Sequence, residues 1–159
     1  MEMKKKEHGL YASVIETPVG KIKITADDEL ILSIDFTDDA LAASGHALCE
    51  RAAEELREYF SGKRKTFDLP LKKASSAFAQ RIYEEAMKIP FGETASYGEL
   101  ARAAGSPGAA RAVGTALSKN PHIIVVPCHR VIRQNGEPGR YTGGDEKKIA
   151  LLAFEGAVS

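Results

Sequence analysis

Ser96-Tyr97-Gly98-Glu99-Leu100-Ala101-Arg102-Ala103-Ala104-Gly105-Ser106-Pro107-Gly108-Ala109-Ala110-Arg111-Ala112-Val113-Gly114-Thr115-Ala116-Leu117-Ser118-Lys119 is the stretch on which the fold turns. Serine followed three residues later by glutamate, just ahead of an apolar residue, is a capping box and opens a helix. Gly105 ends that helix after two turns. Ser106-Pro107 predicts a second helix at once, with proline at its first position, running to Lys119. Two short helices joined by a tight turn make the helix-turn-helix pattern, although any αα-corner has the same outline.

The second of these helices has an unusual composition. Ala110, Val113, Gly114 and Leu117 fall on one side and are expected to face the core. Gly108, Ala112 and Thr115 fall roughly opposite, with Arg111 at the flank. A face of such small residues lets a backbone approach another surface closely. The minor groove of B-DNA, about 6 Å wide, demands that of any helix entering it. An alanine-rich helix chosen for propensity alone has the same composition.

Upstream, Ser75 or Ser76 caps a helix whose apolar face is Phe78, Ile82, Ala86 and Ile89, stopped by Pro90. Further back, residues 10–17, 20–26 and 29–37 have strand character, with Ile22 and Ile24 alternating cleanly. Short turns at Pro18-Val19-Gly20 and Asp27-Asp28 predict an antiparallel meander. A helix over about 45–61 follows, with Leu48, Ala52, Leu56, Tyr59 and Phe60 at helical spacing. The polar, basic segment Lys63–Lys73 contains Pro70 and divides the chain into domains 1–70 and 71–159. The fold class expected is α+β, with an N-terminal three-stranded antiparallel sheet plus helix and a C-terminal winged helix-turn-helix-like domain.

The 159 residues suffice for two small packed domains. A hydrophobic fraction of 43% and a charged fraction of 28% are those of a globular chain. No apolar run approaches the ~20 residues of a membrane span. The basic start, MEMKKKEHGLYAS, has no apolar stretch behind it for a secretory signal. Two cysteines make no disulfide framework, so a reducing, cytoplasmic compartment is expected. Lys plus Arg and Asp plus Glu both number 22, which argues against a general nucleic-acid coat protein. The charge is nonetheless uneven. Between Glu99 and Glu137 stand Arg102, Arg111, Lys119, Arg130 and Arg133, with no acid among them. Such a stripe suits a polyanion bound at one face; solvated surface produces it too.

Ile123-Ile124-Val125-Val126-Pro127-Cys128-His129-Arg130-Val131-Ile132 carries the chemistry. An apolar run of strand character leads into a Pro-Cys-His-Arg turn. The thiolate is the nucleophilic form of cysteine, and a nearby imidazole and cation both favour it. Adjacency in sequence does not place them in contact, and a cysteine after an apolar run is often an inert core residue.

PCHRVI, with NP seven residues before the cysteine and YTGG thirteen after it, resembles the O6-alkylguanine-DNA alkyltransferase family. SYGELA, GSPGAARAVGTAL, NP, PCHRVI, YTGG and LLAFEG occur in the family's order over about residues 75–156. The N-terminal part resembles the family's RNase H-like domain in outline. The resemblance implies direct reversal of DNA alkylation. Cys128 takes the alkyl group from O6 of guanine as a thioether, once per molecule, with the damaged nucleotide flipped out of the duplex.

The resemblance also implies roles. His129 is the base that takes the thiol proton through a water, and Glu155 holds the other ring nitrogen and stabilises the charged imidazole. Asn120 supports the turn carrying the cysteine. The Tyr141 hydroxyl and the Thr142 N–H donate to the lesion base, and the Cys128 and Val131 carbonyls accept from its amine. Arg111 fills the gap left by the flipped base. Tyr97 pushes on the 3′ phosphate and contacts the base at the pocket mouth. Gly98, Ser106, Ala112 and Thr115 belong to the DNA-binding surface.

The partner implied is double-stranded DNA containing O6-alkylguanine, bound by a monomer with no membrane attachment and no cofactor. Some members bind zinc through two cysteines and two histidines. Here Cys49 stands alone with His8 and His46, so no metal is expected. Thr142 replaces the family's frequent serine, and the chain has no tryptophan. Three other readings compete: a damage-recognition DNA-binding protein without transfer chemistry, a helix-turn-helix regulator, and a Cys-His hydrolase. A hydrolase turns over, whereas an alkyltransferase stops after one event.

Overall fold

The structure, a computed structural model, describes residues 9–139 and 141–157. The chain divides into two compact units, Met1–Lys72 and Lys73–Ser159.

The first unit is built on an antiparallel meander of β1 (Tyr11–Thr17), β2 (Gly20–Ala26) and β3 (Ile31–Phe36). Thr17 pairs with Gly20 across the first turn, where Gly20 takes φ +116°. That conformation favours glycine. In the second turn the Asp27 carboxylate accepts from the N–H groups of Glu29 (2.8 Å) and Leu30 (2.7 Å). These bonds hold the Asp27 carboxyl below the usual range. Helix α1 (Ala47–Phe60) packs on β1 and β2. Ile22 and Ile24 alternate toward it, and Ala52, Ala53, Leu56 and Tyr59 face back. Each fully buried Ile or Leu contributes about 1.5–3 kcal/mol, so Leu56→Ala costs roughly 2–5 kcal/mol with the cavity included. Ile31 donates its N–H to the Pro70 carbonyl (2.7 Å) and accepts from the Lys72 N–H (3.0 Å). Pro70–Lys72 thus lie along β3 and belong to this unit.

The second unit is mostly helical. Helix α2 (Ala77–Ala86) starts at Ser76, whose hydroxyl accepts from the Ala79 N–H at 3.1 Å. It buries Ile82, Tyr83 and Ala86. After β4 (Ala95–Ser96), helix α3 (Tyr97–Ala103) opens with the expected capping box between Ser96 and Glu99. Helix α4 (Ala110–Ser118) begins three residues later than the sequence pattern suggests. Pro107 is not its first residue. Ser106-Pro107-Gly108-Ala109 instead form a turn closed by an Ala109 N–H to Ser106 carbonyl bond of 3.0 Å, with Gly108 at φ +89°. Proline then glycine at the two central positions is the type II signature. The turn takes up the residues that helix propensity had claimed. Tyr83 donates its hydroxyl to the Ala116 carbonyl (2.7 Å), joining α2 to α4. The chain closes with β5 (Val131–Ile132) and helix α5 (Asp145–Phe154). β5 pairs in parallel with β4.

The apolar run before Cys128 is not a strand. Ile123–Val126 fold back on themselves, and Ile124 has φ +71°. A Val125 N–H to Ile123 carbonyl bond (2.8 Å) closes a γ-turn of the rare, positive-φ kind around it. A β-branched residue there stores strain, about 1–3 kcal/mol. A second γ-turn, an inverse one, centres on Pro127 (φ −80°, ψ 63°) and is closed by Cys128 N–H to Val126 carbonyl at 2.7 Å. Residues 122–130 are all buried. The run is apolar because the loop is a core element, and a short apolar run does not separate the two cases.

Candidate active site

Cys128 begins a single 3₁₀ turn, Cys128–Arg130. Its residue is 4% exposed, and that exposure opens into a cavity of about 490 Å³. This size suits a small organic group. The cavity is walled by Tyr97 from α3, Arg111 and Thr115 from α4, Arg133, and Tyr141 with Thr142.

Behind the sulfur, Asn120 organises the loop. Its Nδ2 donates to the Val126 carbonyl (2.9 Å) and to Cys128 Sγ (3.1 Å), while its Oδ1 accepts from the His122 N–H (2.9 Å). An amide N–H aimed at sulfur favours negative charge there.

Glu155 is the buried anchor of the other side. Its carboxylate accepts two bonds from Arg130, Nε to Oε1 and Nη2 to Oε2, both 2.8 Å. Its Oε2 also meets His129 Nε2 at 2.8 Å. The guanidinium is permanently charged and answers the carboxylate as a fork. Arg130 further donates to the Ile89 carbonyl (2.7 Å). A second cation in so dry a place is costly, and burial holds the His129 imidazole below its usual range despite the neighbouring carboxylate. The His129–Glu155 contact is therefore a hydrogen bond from a neutral ring. These partners place the proton on Nε2. Nδ1 is left as a lone pair with no hydrogen-bond partner among the described residues. The Tyr141 ring stands edge-on to His129, centroids 6.5 Å apart. The permanent charge opposite Glu155 is that of Arg130. Arg130 also leaves the positive stripe, because the carboxylate draws it inside.

Lys148 is fully buried in α5. Its ammonium donates to the Val131 carbonyl (2.6 Å) and lies 5.8 Å from the centre of the Tyr97 ring. Burial pulls it down to about 8, and the charge of Cys128 opposes that fall. The ammonium and the sulfur therefore feel each other's charge.

Residues 77–157 match the family described as 6-O-methylguanine DNA methyltransferase, DNA binding domain. Residues 10–73 match its ribonuclease-like domain. The chain belongs to the 6-O-methylguanine DNA methyltransferase family. A relative from Mycolicibacterium paratuberculosis named methylated-DNA–protein-cysteine methyltransferase is 40% identical over 147 residues, covering 89% of each chain. The crystal structure of Mycobacterium tuberculosis O6-methylguanine methyltransferase superposes with a TM-score of 0.83 at 34% identity, covering 94% of each chain. The same organism's protein in complex with DNA gives 0.83 at 36% identity, covering 92% of each.

Of the residues that the methyltransferase motifs single out, Tyr97, Arg111, Thr115, Cys128, Tyr141 and Thr142 meet at the cavity. Asn120, His129 and Glu155 gather behind it, all buried. Val131 is fully buried away from the lining, and its carbonyl already accepts from Lys148. Gly98, Ser106 and Ala112 do not line the cavity, and Ala112 is exposed on α4. The closest approach is at Gly139 (φ +77°), where an added Cβ would lie 2.7 Å from the Tyr97 hydroxyl. Gly114 lets α4 pass the same ring, its Cβ position 3.8 Å away.

Lys148 is the site residue that sequence reasoning missed, and Arg130 and Arg133 stood out there only as members of a cationic stretch. For Lys148 a signal exists: positions 148, 151, 152 and 155 share one helical face, and all four are buried. Cys49 is fully buried and His46 holds the N-cap position of α1 without a side-chain capping bond, whereas His8 lies outside the described residues. Among the described residues, no group of three His, Cys, Asp or Glu side chains could hold a metal ion. No helix among them is long and apolar enough to cross a membrane.

Proposed function

We propose that this protein repairs double-stranded DNA containing O6-alkylguanine by moving the alkyl group, methyl above all, onto Cys128. Each molecule does this once. The observation that carries the reading is the setting of the sulfur: an amide donor behind it and an open cavity before it. His129 Nδ1 takes the thiol proton through a water, and Glu155, held by Arg130, keeps the ring in the tautomer that can accept it. The thiolate attacks the O6-bound carbon. The S–C bond forms as the C–O bond breaks, the bonding pair stays on the base, and the proton returns to give guanine.

Tyr97 stands at the cavity mouth against the flipped nucleotide, and Arg111 fills the space it leaves in the duplex. The Tyr141 hydroxyl and Thr142 N–H orient the base. The exposed, small-residue face of α4 (Ala112, Thr115) enters the minor groove, with Gly98 and Ser106 beside it. The second unit, Lys73–Ser159, carries these functions, and the first supports them. The protein works as a monomer without a cofactor in the cytoplasm, on the nucleoid of a prokaryote or the nuclear DNA of a eukaryote.

The test is a duplex containing one O6-methylguanine. Peptide masses should show one added methylene unit on the Cys128 peptide, saturating at one per protein. Tight lesion binding without that gain would favour a damage-recognition protein instead.

A further inference from the structure

Arg133 is used by none of the chemistry above, yet it lines the cavity into which Cys128 opens. Its backbone is pinned by a tight turn: its N–H donates to the Glu137 carbonyl (2.8 Å), and its carbonyl accepts from the Gly136 N–H (2.9 Å). Its guanidinium forms no ion pair with a carboxylate among the described residues. Among the described residues, the charged side chains in the cavity wall are Arg111 and Arg133, and no acid joins them. Arg111 sits on the exposed side of α4 that faces DNA in the reading above. Arg133 lines the same cavity as Tyr141 and Thr142, which orient the lesion base in that reading.

We propose that Arg133 makes this cavity selective for O6-alkyl groups that end in a carboxylate. The proposal rests on alkyl transfer to Cys128 and names the adducts that transfer favours. A methyl group leaves the guanidinium unused. A carboxymethyl group places its anion two bonds beyond the reacting carbon, toward the cationic wall. The sulfur attacks the CH₂ carbon, the C–O6 bond breaks with its electrons on the base, and the thiol proton ends on guanine. Cys128 is left as an S-carboxymethyl thioether. A phosphate contact by Arg133 predicts something different, because phosphates are common to every adduct and cannot produce a preference among them.

The experiment uses the full chain and three duplexes of one sequence, bearing O6-methylguanine, O6-carboxymethylguanine or the uncharged isostere O6-carbamoylmethylguanine. Single-turnover rates are read as the carboxymethyl to carbamoylmethyl ratio, so losses of folding or DNA affinity cancel. An exposed or half-exposed pair predicts a ratio of about three to five in the parent, falling toward one in Arg133→Gln and retained in Arg133→Lys. Arg133→Glu should invert it. The ratio should also shrink as salt rises. A parent ratio of one, or a ratio unmoved by Arg133→Gln, would overturn the selectivity while methyl transfer still stood. Absence of transfer from all three duplexes would instead overturn the function on which the selectivity rests.

Discussion

Both cysteines of this protein are buried and outside any disulfide, yet their surroundings differ in kind. Cys49, in the sheet-and-helix unit, faces carbonyls: its Sγ lies 3.5 Å from the Tyr11 oxygen and 3.8 Å from the Ile24 oxygen. A carbonyl wants a proton from sulfur, and burial pushes this thiol up. Cys128 meets a donor, the Asn120 amide, and shares its neighbourhood with the Lys148 ammonium. Burial alone therefore says little about reactivity. The polarity of the few groups around the sulfur separates an inert core residue from a nucleophile.

The largest effect expected is from Cys128→Ala, which should abolish alkyl transfer while DNA binding persists. Transfer surviving in that variant would put the acceptor elsewhere. Next comes Glu155→Gln, which leaves the Arg130 guanidinium buried without its carboxylate. Urea midpoints should show a loss of roughly 3–5 kcal/mol. A loss below 1 kcal/mol would mean that the guanidinium finds water. Asn120→Ala removes the donor facing the sulfur and two ties of the loop. The transfer rate should fall on the order of tenfold, since hydrogen bonds to charged groups are worth about 1.5–3 kcal/mol.

Lys148→Met is a subtler change, read against pH. The ammonium is held down to about 8, so above that pH it no longer supports charge on sulfur. Transfer by the parent should decline on the alkaline side near pH 8, and the variant should lack that decline. Stability moves the other way. Unfolding takes up a proton between about 8 and the usual 10.5, so Lys148's contribution to stability rises with pH across that window. The variant's denaturation midpoint should be flatter there. The smallest effect belongs to Cys49→Ala. Transfer should be unchanged, and stability should drop by about 1 kcal/mol for the small cavity created. A transfer defect in this variant would break the contrast between the two sulfurs.

Local patterns made much of this molecule legible. The meander shows in the alternation of Ile22 and Ile24, and the capping box at Ser96 is spelled out within four residues. Two features resisted for physical reasons. Ile123–Val126 has strand composition, but its conformation is set by burial and by the Asn120 side chain, neither of which is a periodic signal. The ion pair joins Arg130 to Glu155 across 25 positions, and no spacing rule foretells it. The structure puts His129 against Glu155, two residues that the family motifs single out. The motifs did not reveal that Arg130 shares that carboxylate.

One small feature has a reach out of proportion to its size. Ala95 pairs with Val131 and Ser96 with Ile132, and these two pairs are the whole of the parallel sheet. The next residue after Ser96 is Tyr97, and Cys128 lies three residues before Val131. The stitch therefore acts as a gauge, holding the distance between a cavity wall and its nucleophile across the thirty residues between Tyr97 and Cys128. A slip of one residue would carry Tyr97 about 3.3 Å along the strand and turn its neighbours to the opposite face. Substitutions that spare those two pairs keep the reaction in register.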